Sequence, residues 1–274
     1  MARKKSTKSD LDEELEILRQ EKNNILNFKI NFRCKTKHQK EFLKAVYKNN
    51  INFISGSPGS GKSICSLFVA LDLLKNGATN GYQKIILVYP VAVNDQESVG
   101  FLKGSLSEKL EPFQEPDFYN LAKIINEGSD KNGEEIVKKL VEAGKLEVRS
   151  SSFLRGANLD YAVIIVAEAQ NFSKESLLKI LTRIGTNSKI ILNYDIYQLD
   201  NSKIKSGKSI SGVQYAKEVL SGMKGISFTE FGLEDVVRND IIPELLKRWL
   251  PDIYGELDLE ELDKLHKECC LVDE

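Results

Sequence analysis

The sequence lacks the features that define several common protein classes. No stretch reaches the ~18 consecutive apolar residues of a membrane-spanning helix, so we expect no membrane association. The four cysteines and two histidines show neither a C-x-x-C pair nor the spacing of a zinc site. Cys269 and Cys270 are expected to be reduced thiols near a frayed end. The charged N-terminus is not typical of a secretory signal, so we expect a protein of the reducing cytoplasm.

An excess of charge of one sign is also missing. The net charge is −1, so no global basic field indicates nucleic acid. Residues 251–274 nevertheless carry −7, and the other 250 residues carry +6, which is the difference between −1 and −7. We divide the chain into a basic segment with a helix (1–30), a core (31–240) and a helical acidic tail (241–274).

What the sequence does contain is a phosphate-binding loop. Residues 56–63 (GSPGSGKS) satisfy the pattern G-x-x-x-x-G-K-[ST] at every fixed position. A strand-like apolar run precedes them and a helical segment follows, which disfavours a Gly/Ser turn that matches by chance. The glycines let backbone N–H groups face a phosphate, and the helix adds its positive N-terminal end. The expected ATP-binding residues are Gly56, Ser57, Pro58, Gly59, Ser60, Gly61, Lys62, Ser63 and Ile64.

Two of these side chains have distinct expected roles. Lys62 is expected to reach the β- and γ-phosphates, and the Ser63 hydroxyl is expected to ligate Mg²⁺.

Strand and helix patterns alternate along the core. Predicted strands cover residues 52–55, 84–89, 146–149, 161–167, 189–193 and 226–231. Predicted helices cover residues 37–48, 62–75, 117–127, 133–142, 173–183 and 209–220, with a short helical run after Pro243. Strands such as 163–166 (VIIV) are apolar on both faces, as in a parallel sheet covered by helices. The predicted fold is therefore α/β, with a mostly parallel sheet and helices on both faces.

A carboxylate follows one of these buried strands. Glu168 is the candidate base that polarises the attacking water, and it could hold Mg²⁺ through a water molecule. The position before it, where an Asp that holds Mg²⁺ would be expected, is Ala167. After the next strand, Asp195 or Gln198 could sense the γ-phosphate, and a simple polar turn is the equal alternative.

Several further segments match motifs of one family. They are residues 36–39 (TKHQ), 100–104 (GFLKG), 153–156 (FLRG), 168–171 (EAQN), 181–185 (LTRIG), 195–198 (DIYQ) and 235–238 (DVVR). Together they resemble the PhoH family, RecA-like P-loop ATPases related to helicases, from about residue 36 to residue 238. The resemblance implies a RecA-like core and an adenine contact from Gln39.

The sequence also departs from the family pattern. This chain has Ala167 where the family has Asp, Tyr194 where it has Gly, and Tyr89 where it has Arg. It also has Ala157 in place of an arginine and Lys103 in place of a proline. Two origins stay open: a divergent member, such as a phage-encoded copy, or an engineered residue 167 that traps bound nucleotide.

Three arginines are candidates to stabilise charge on the γ-phosphoryl group: Arg155, Arg183 and Arg238. Related helicases place ATP between two RecA-like modules, whereas this chain has room for one. We therefore expect a homo-oligomer, such as a ring, in which a neighbour donates arginines. The resemblance suggests single-stranded RNA or DNA as a partner.

Three functions are weighed. The ATPase hypothesis rests on Lys62, Ser63, Glu168, Gln198 and the arginines. The alternative, an ATP-binding switch or assembly protein with little or no hydrolysis, rests on Ala167, Tyr194 and Ala157. A small-molecule kinase would share the loop, but no acceptor site is visible.

Overall fold

The computed structural model describes residues 25–77, 81–90, 106–125, 130–154, 159–195, 198, 207, 210–250 and 259–270. The strands are β1 (Ile51–Gly56), β2 (Lys84–Tyr89), β3 (Leu146–Ser150), β4 (Ala162–Val166), β5 (Lys189–Tyr194) and β6 (Ile226–Phe231). The helices are α1 (Lys37–Lys48), α2 (Lys62–Lys75), α3 (Leu106–Ile125), α4 (Asp130–Glu142), α5 (Lys174–Leu181), α6 (Gly212–Leu220), α7 (Ile241–Trp249) and α8 (Leu259–Cys269).

The six strands form one parallel sheet. Their order is β3-β2-β4-β5-β1-β6, and every strand pairing is parallel. Strand β1, which leads into the glycine-rich loop, lies between β5 and β6, and β5 separates it from β4. Because all strands run the same way, the carboxyl ends of β1, β4 and β5 meet at one edge of the sheet.

Helices cover both faces of the sheet, because alternate strand residues point to opposite sides. Ile85 and Leu87 belong to a core cluster with α1, α2, α3 and α4, whereas Ile86 and Val88 belong to a second cluster with α5 and α6. The four side chains are at most 1% exposed. The predicted α/β fold, with a parallel sheet and helices on both faces, is confirmed.

Several helix boundaries follow from local sequence. Helix α1 begins after Thr36, whose hydroxyl accepts a hydrogen bond from the Gln39 N–H at 3.3 Å. Helix α5 begins after Ser173, which caps Ser176 N–H in the same way. Such caps satisfy backbone donors that a helix leaves unpaired at its first turn. The predicted bounds of α1 and α2 are confirmed.

Other boundaries were predicted wrongly. Helix α3 begins at Leu106 rather than at residue 117, although Pro116 lies inside it. Packing of Leu121 and Ile124 into the core outweighs the hydrogen bonds that proline removes. Helix α7 likewise begins at Ile241, so Pro243 lies in its first turn, where a missing N–H costs nothing.

The end of the described chain is docked rather than frayed, which corrects the expectation for its two cysteines. Cys270 forms an antiparallel bridge with Thr36, and the Cys269 side chain is buried. The helix predicted within residues 1–30 falls almost entirely before residue 25, where the described residues begin. None of the helices in the described ranges combines the length and the apolar character needed to cross a membrane.

Candidate functional site

The glycine-rich loop follows β1 at the carboxyl edge of the sheet. Gly59 and Gly61 adopt φ values of 86° and 90°, which residues with a Cβ rarely adopt. A Cβ on Gly56 would lie 2.6 Å from the Cβ of Phe231, so only glycine fits beside β6 there. The loop is therefore fixed in a curled conformation that suits a phosphate group.

Lys62 opens helix α2 and folds back over the loop. Its ammonium donates to the Gly56 carbonyl and, at 3.2 Å, to the Ser57 carbonyl. Burial lowers the pKa of Lys62, while the carboxylates of Asp195 and Glu168 oppose this shift. The carboxylates favour the charged form of Lys62, and an ammonium in this position over the loop can pair with a polyphosphate.

Two hydrogen bonds from residues outside the phosphate-binding loop hold carbonyl groups of its backbone. The Gln39 side-chain amide donates to the Ser60 carbonyl at 2.9 Å, and its oxygen accepts from Lys35 N–H at 2.8 Å. The Val237 N–H donates to the Gly59 carbonyl at 3.2 Å. Gln39 is thus buried against the loop, and its adenine contact stays a prediction.

Glu168 lies just beyond the end of β4 at the same edge. Its side chain is exposed, whereas Ala167 before it is half-buried and packs into the core. Glu168 adopts a left-handed conformation with φ 49° and ψ 43°, which is uncommon for a residue with a side chain. Such conformations concentrate at functional sites, where surrounding contacts hold them.

Gln170 holds the Glu168 carboxylate; it lies in the matched segment 168–171, but the sequence indicated no role for it. Its amide nitrogen donates to Glu168 Oε2 at 2.6 Å and to the Gln198 carbonyl at 2.9 Å. Its amide oxygen accepts from Asp195 N–H at 3.1 Å, and the side chain is 1% exposed. Gln170 therefore ties the Glu168 carboxylate to the segment that follows β5.

The segment after β5 lies between the loop strand and the Glu168 strand. Asp195 is buried there, and the Gln198 side chain is exposed. Ser66 of α2 donates to Asn193 Oδ1 at 2.7 Å, which links the loop helix to this strand end. The structure thus brings together Lys62, Asp195 and Gln198, although the first lies more than a hundred residues from the other two in sequence.

The three arginines differ in position. Arg238 is exposed, and its Cβ would lie 3.1 Å from a Cβ on Gly59, so it adjoins the loop of its own chain. Arg183 follows α5, and its carbonyl accepts from Leu159 N–H, before the amino end of β4. It therefore lies at the edge of the sheet opposite the loop. Arg155 is outside the described residues.

The donor set fits a nucleotide with a hard cation. The loop offers backbone N–H groups and the Lys62 ammonium to phosphates. The Ser63 hydroxyl and the exposed Glu168 carboxylate are oxygen donors, which Mg²⁺ prefers.

Comparison with known proteins agrees with this geometry. The sequence profile of the family described as "PhoH-like protein" matches residues 31–249. The chain belongs to the PhoH-like protein family. It is 36% identical over 218 residues to the PhoH-like protein of Bacillus subtilis (strain 168), covering 79% of this chain and 63% of that protein.

Other members of the family are similar over the same region. The PhoH-like protein of Synechocystis sp. (strain ATCC 27184 / PCC 6803 / Kazusa) is 34% identical over 217 residues, which cover 79% of this chain and 62% of that protein. Protein PhoH of Escherichia coli (strain K12) is 30% identical over 210 residues, which cover 76% and 55%. The chain thus spans about three-fifths of the length of the curated relatives it matches.

Similarity to solved structures is weaker. The Pif1 helicase from Candida albicans is 14% identical, with a TM-score of 0.39 over 84% of this chain and 46% of that one. Similarity of this size carries no argument about activity.

Two departures from the PhoH-like pattern lie side by side. Val88 pairs with Val166, so Tyr89 and Ala167 follow at the ends of neighbouring strands, and both contact the same core cluster. The Tyr89 hydroxyl donates to Asp117 Oδ2 at 2.6 Å, and burial raises the pKa of both groups. The two positions at which the resemblance implies an Arg and an Asp are therefore neighbours in the structure, and both hold uncharged residues.

Proposed function

We propose that this protein hydrolyses ATP with Mg²⁺, and that it does so as an oligomer acting on single-stranded RNA or DNA. The observation that carries the hydrolytic part is the shared edge of the sheet. There, the Lys62 ammonium and the exposed Glu168 carboxylate face one site, and Gln170 fixes the carboxylate.

Each group has a distinct task. Lys62 binds the β- and γ-phosphates, and its positive charge stabilises negative charge that grows on the γ-phosphoryl oxygens. Glu168 accepts a hydrogen bond from the attacking water and orients it in line with the bond that breaks. Mg²⁺, held by Ser63 and through water by Glu168, would neutralise phosphate charge.

The segment after β5 completes the site. The Gln170 amide nitrogen bonds to both Glu168 and Gln198, so these two residues lie close together. The exposed Gln198 amide is therefore placed to contact the γ-phosphate or the attacking water. Asp195 favours the charged form of Lys62, since its carboxylate opposes the pKa shift that burial causes. Of the two predicted sensors, Gln198 is the one with an exposed side chain.

The position of Arg183 supports an oligomer. Strand β5 has six residues, so the opposite edge of the sheet is roughly 20 Å from the loop. An arginine side chain cannot span that distance, and Arg183 can stabilise a transition state only at a neighbour's nucleotide. Arg238, which adjoins the loop, is placed to act on the nucleotide of its own chain.

Family membership and the positive charge outside the acidic tail support nucleic acid as a partner. The chain outside residues 251–274 carries +6, and lysines and arginines that bind phosphates release counterions and so favour nucleic acid. Arg33, Lys35 and Lys37 form one basic cluster within the described residues.

An ATP-binding switch that hydrolyses little is the second candidate, because Ala167 cannot hold Mg²⁺. The joint replacement at Tyr89 and Ala167 supports natural divergence over a single engineered change. An isolated substitution at 167 would have left the arginine of the family pattern at 89.

Phosphate release from Mg²⁺·ATP tests the proposal. It is measured with and without single-stranded RNA for the unchanged chain, Lys62→Ala and Ala167→Asp. Turnover that Lys62→Ala abolishes and RNA stimulates is expected. Tight ATP binding without turnover, restored by Ala167→Asp, would favour the switch, and turnover that survives in Lys62→Ala would refute the site.

A further inference from the structure

Both histidines and two of the four cysteines of this chain collect at one place outside the nucleotide site. The chain has two histidines and four cysteines. His38 at the start of α1 and Cys269 at the end of α8 both contact Asp235 of the 3₁₀ helix Leu233–Asp235. His266 and Cys270 lie next to them, with Cys270 Sγ 3.4 Å from His266 Nε2. Segments far apart in sequence therefore supply one cluster.

The three central side chains point at one another. Asp235 Oδ2 lies 2.7 Å from His38 Nδ1, and Asp235 Oδ1 lies 3.3 Å from Cys269 Sγ. His38 Nδ1 lies 3.6 Å from Cys269 Sγ, and all three ligand atoms lie within 4.8 Å of one another. Asp235 and Cys269 are buried, whereas the His38 side chain is 37% exposed, which leaves a route from solvent.

These distances are close to those around a tetrahedral zinc ion. Zn–N and Zn–O bonds of about 2.0–2.2 Å and a Zn–S bond of about 2.3 Å place ligand atoms roughly 3.3–3.6 Å apart. The separation of His38 Nδ1 and Cys269 Sγ, 3.6 Å, meets this spacing. The two oxygens of Asp235 face one ligand each, so the carboxylate needs to shift by about half an ångström to place one oxygen on the ion. The Glu234 carboxylate, 3.8 Å from His38 Nδ1, or a water can take the fourth position.

We propose that His38, Asp235 and Cys269 form a Zn²⁺ site that fixes the C-terminal helix α8 to the ATPase core. The mixture of imidazole, carboxylate and thiol suits zinc, whereas Mg²⁺ prefers oxygen ligands alone. In the ion-free cluster the thiol donates to the Asp235 carboxylate. Binding breaks the S–H bond, releases its proton to solvent and forms a Zn–S bond.

The site adjoins both outer supports of the phosphate-binding loop. His38 precedes Gln39, whose amide holds the Ser60 carbonyl, and Asp235 lies two residues before Val237, whose N–H holds the Gly59 carbonyl. An ion that fixes His38 and Asp235 therefore also fixes both supports. This consequence rests on the geometry of the loop and does not depend on hydrolysis.

Metal binding by the full chain tests the site without nucleotide and without an affinity tag. The reduced protein is stripped with a chelator and titrated with Co²⁺, and Zn²⁺ then displaces the Co²⁺. We expect roughly one equivalent of Co²⁺ with a thiolate-to-metal charge-transfer band, and a higher melting temperature with Zn²⁺.

The variants separate this site from adventitious binding. His38→Gln and Cys269→Ser should each weaken Zn²⁺ binding by at least about 10–100-fold, because this is the loss of affinity when a residue that only hydrogen-bonds to a metal ligand is removed. Cys269→Ser should also abolish the charge-transfer band. His266→Gln and Cys270→Ser, the matched neighbours, should retain both. Circular dichroism confirms that each variant folds.

Two results would overturn the proposal. One is a chain that binds no Zn²⁺ at an equivalent concentration, in which case the cluster is a hydrogen-bonded contact only. The other is a charge-transfer band that survives in Cys269→Ser but disappears in Cys34→Ser or Cys270→Ser.

Discussion

Removal of the Gln170 amide should destabilise the fold and misplace the candidate base. Gln170→Leu keeps a side chain of similar size but leaves the Asp195 N–H without its acceptor, since Asp195 is buried. An unsatisfied buried donor costs about 1–3 kcal/mol, and the lost bond to the Gln198 carbonyl adds about 0.5–1 kcal/mol. The Glu168 carboxylate is exposed, so water replaces its lost partner and it adds little to the cost.

The expected loss is therefore about 1.5–4 kcal/mol, and a loss of about 3 kcal/mol should lower the melting temperature by roughly 6–12 °C. Turnover should fall by up to about 100-fold, because the Glu168 carboxylate is no longer held in position by the Gln170 amide. Urea and thermal unfolding measure the first effect, and phosphate release at a temperature where both proteins are folded measures the second.

Gln198→Ala is the control for stability. Only the backbone carbonyl of Gln198 bonds to Gln170, so this variant should unfold within about 0.5 kcal/mol of the unchanged chain. A Gln170→Leu protein that melts within about 2 °C of the unchanged chain would refute the assigned contacts. Unaltered turnover would refute the positioning role.

Two other predictions concern an ion pair and the arginine at the far edge. Burial alone would raise the pKa of Glu147, but hydrogen bonds and charge from Lys84 and Arg149 outweigh it and lower the pKa. Its stabilisation is therefore present above the unfolded pKa and is lost as the pH falls through the folded pKa. In urea titrations Glu147→Gln should unfold more easily than the unchanged chain at about pH 7, and the difference should disappear as the pH falls through the folded pKa of Glu147. If Arg183 acts on a neighbour's nucleotide, mixing inactive Lys62→Ala with inactive Arg183→Ala should restore phosphate release. A mixture that stays as inactive as its components would contradict that arrangement.

Local signals predicted most of the fold. The predicted bounds of helices α1 and α2 agree with the structure, in which Thr36 caps the first turn of α1 and the loop glycines lead directly into Lys62 of α2. The start of α3 could not be found locally, because the packing of its last turns decides that the helix continues through Pro116. Local propensity is a weak guide where tertiary contacts of this kind decide the outcome.

The site divides in the same way. The loop is one contiguous motif, so residues 56–63 could be assigned from sequence. Gln170 could not, because its partners lie up to 28 residues away and only the order of strands brings them near. The cluster of His38, Asp235 and Cys269 joins residues as much as 231 positions apart. Sequence spacing alone predicted only that Cys269 and Cys270 are reduced thiols near a frayed chain end.

Single-turnover hydrolysis by Glu168→Gln tests most directly whether Glu168 is the catalytic base. The amide keeps the size of the side chain but cannot accept the proton of the attacking water. Hydrolysis of bound Mg²⁺·ATP should fall by about 10²–10⁴-fold, with ATP affinity unchanged. A Glu168→Gln protein that hydrolyses bound ATP as fast as the unchanged chain would contradict the account.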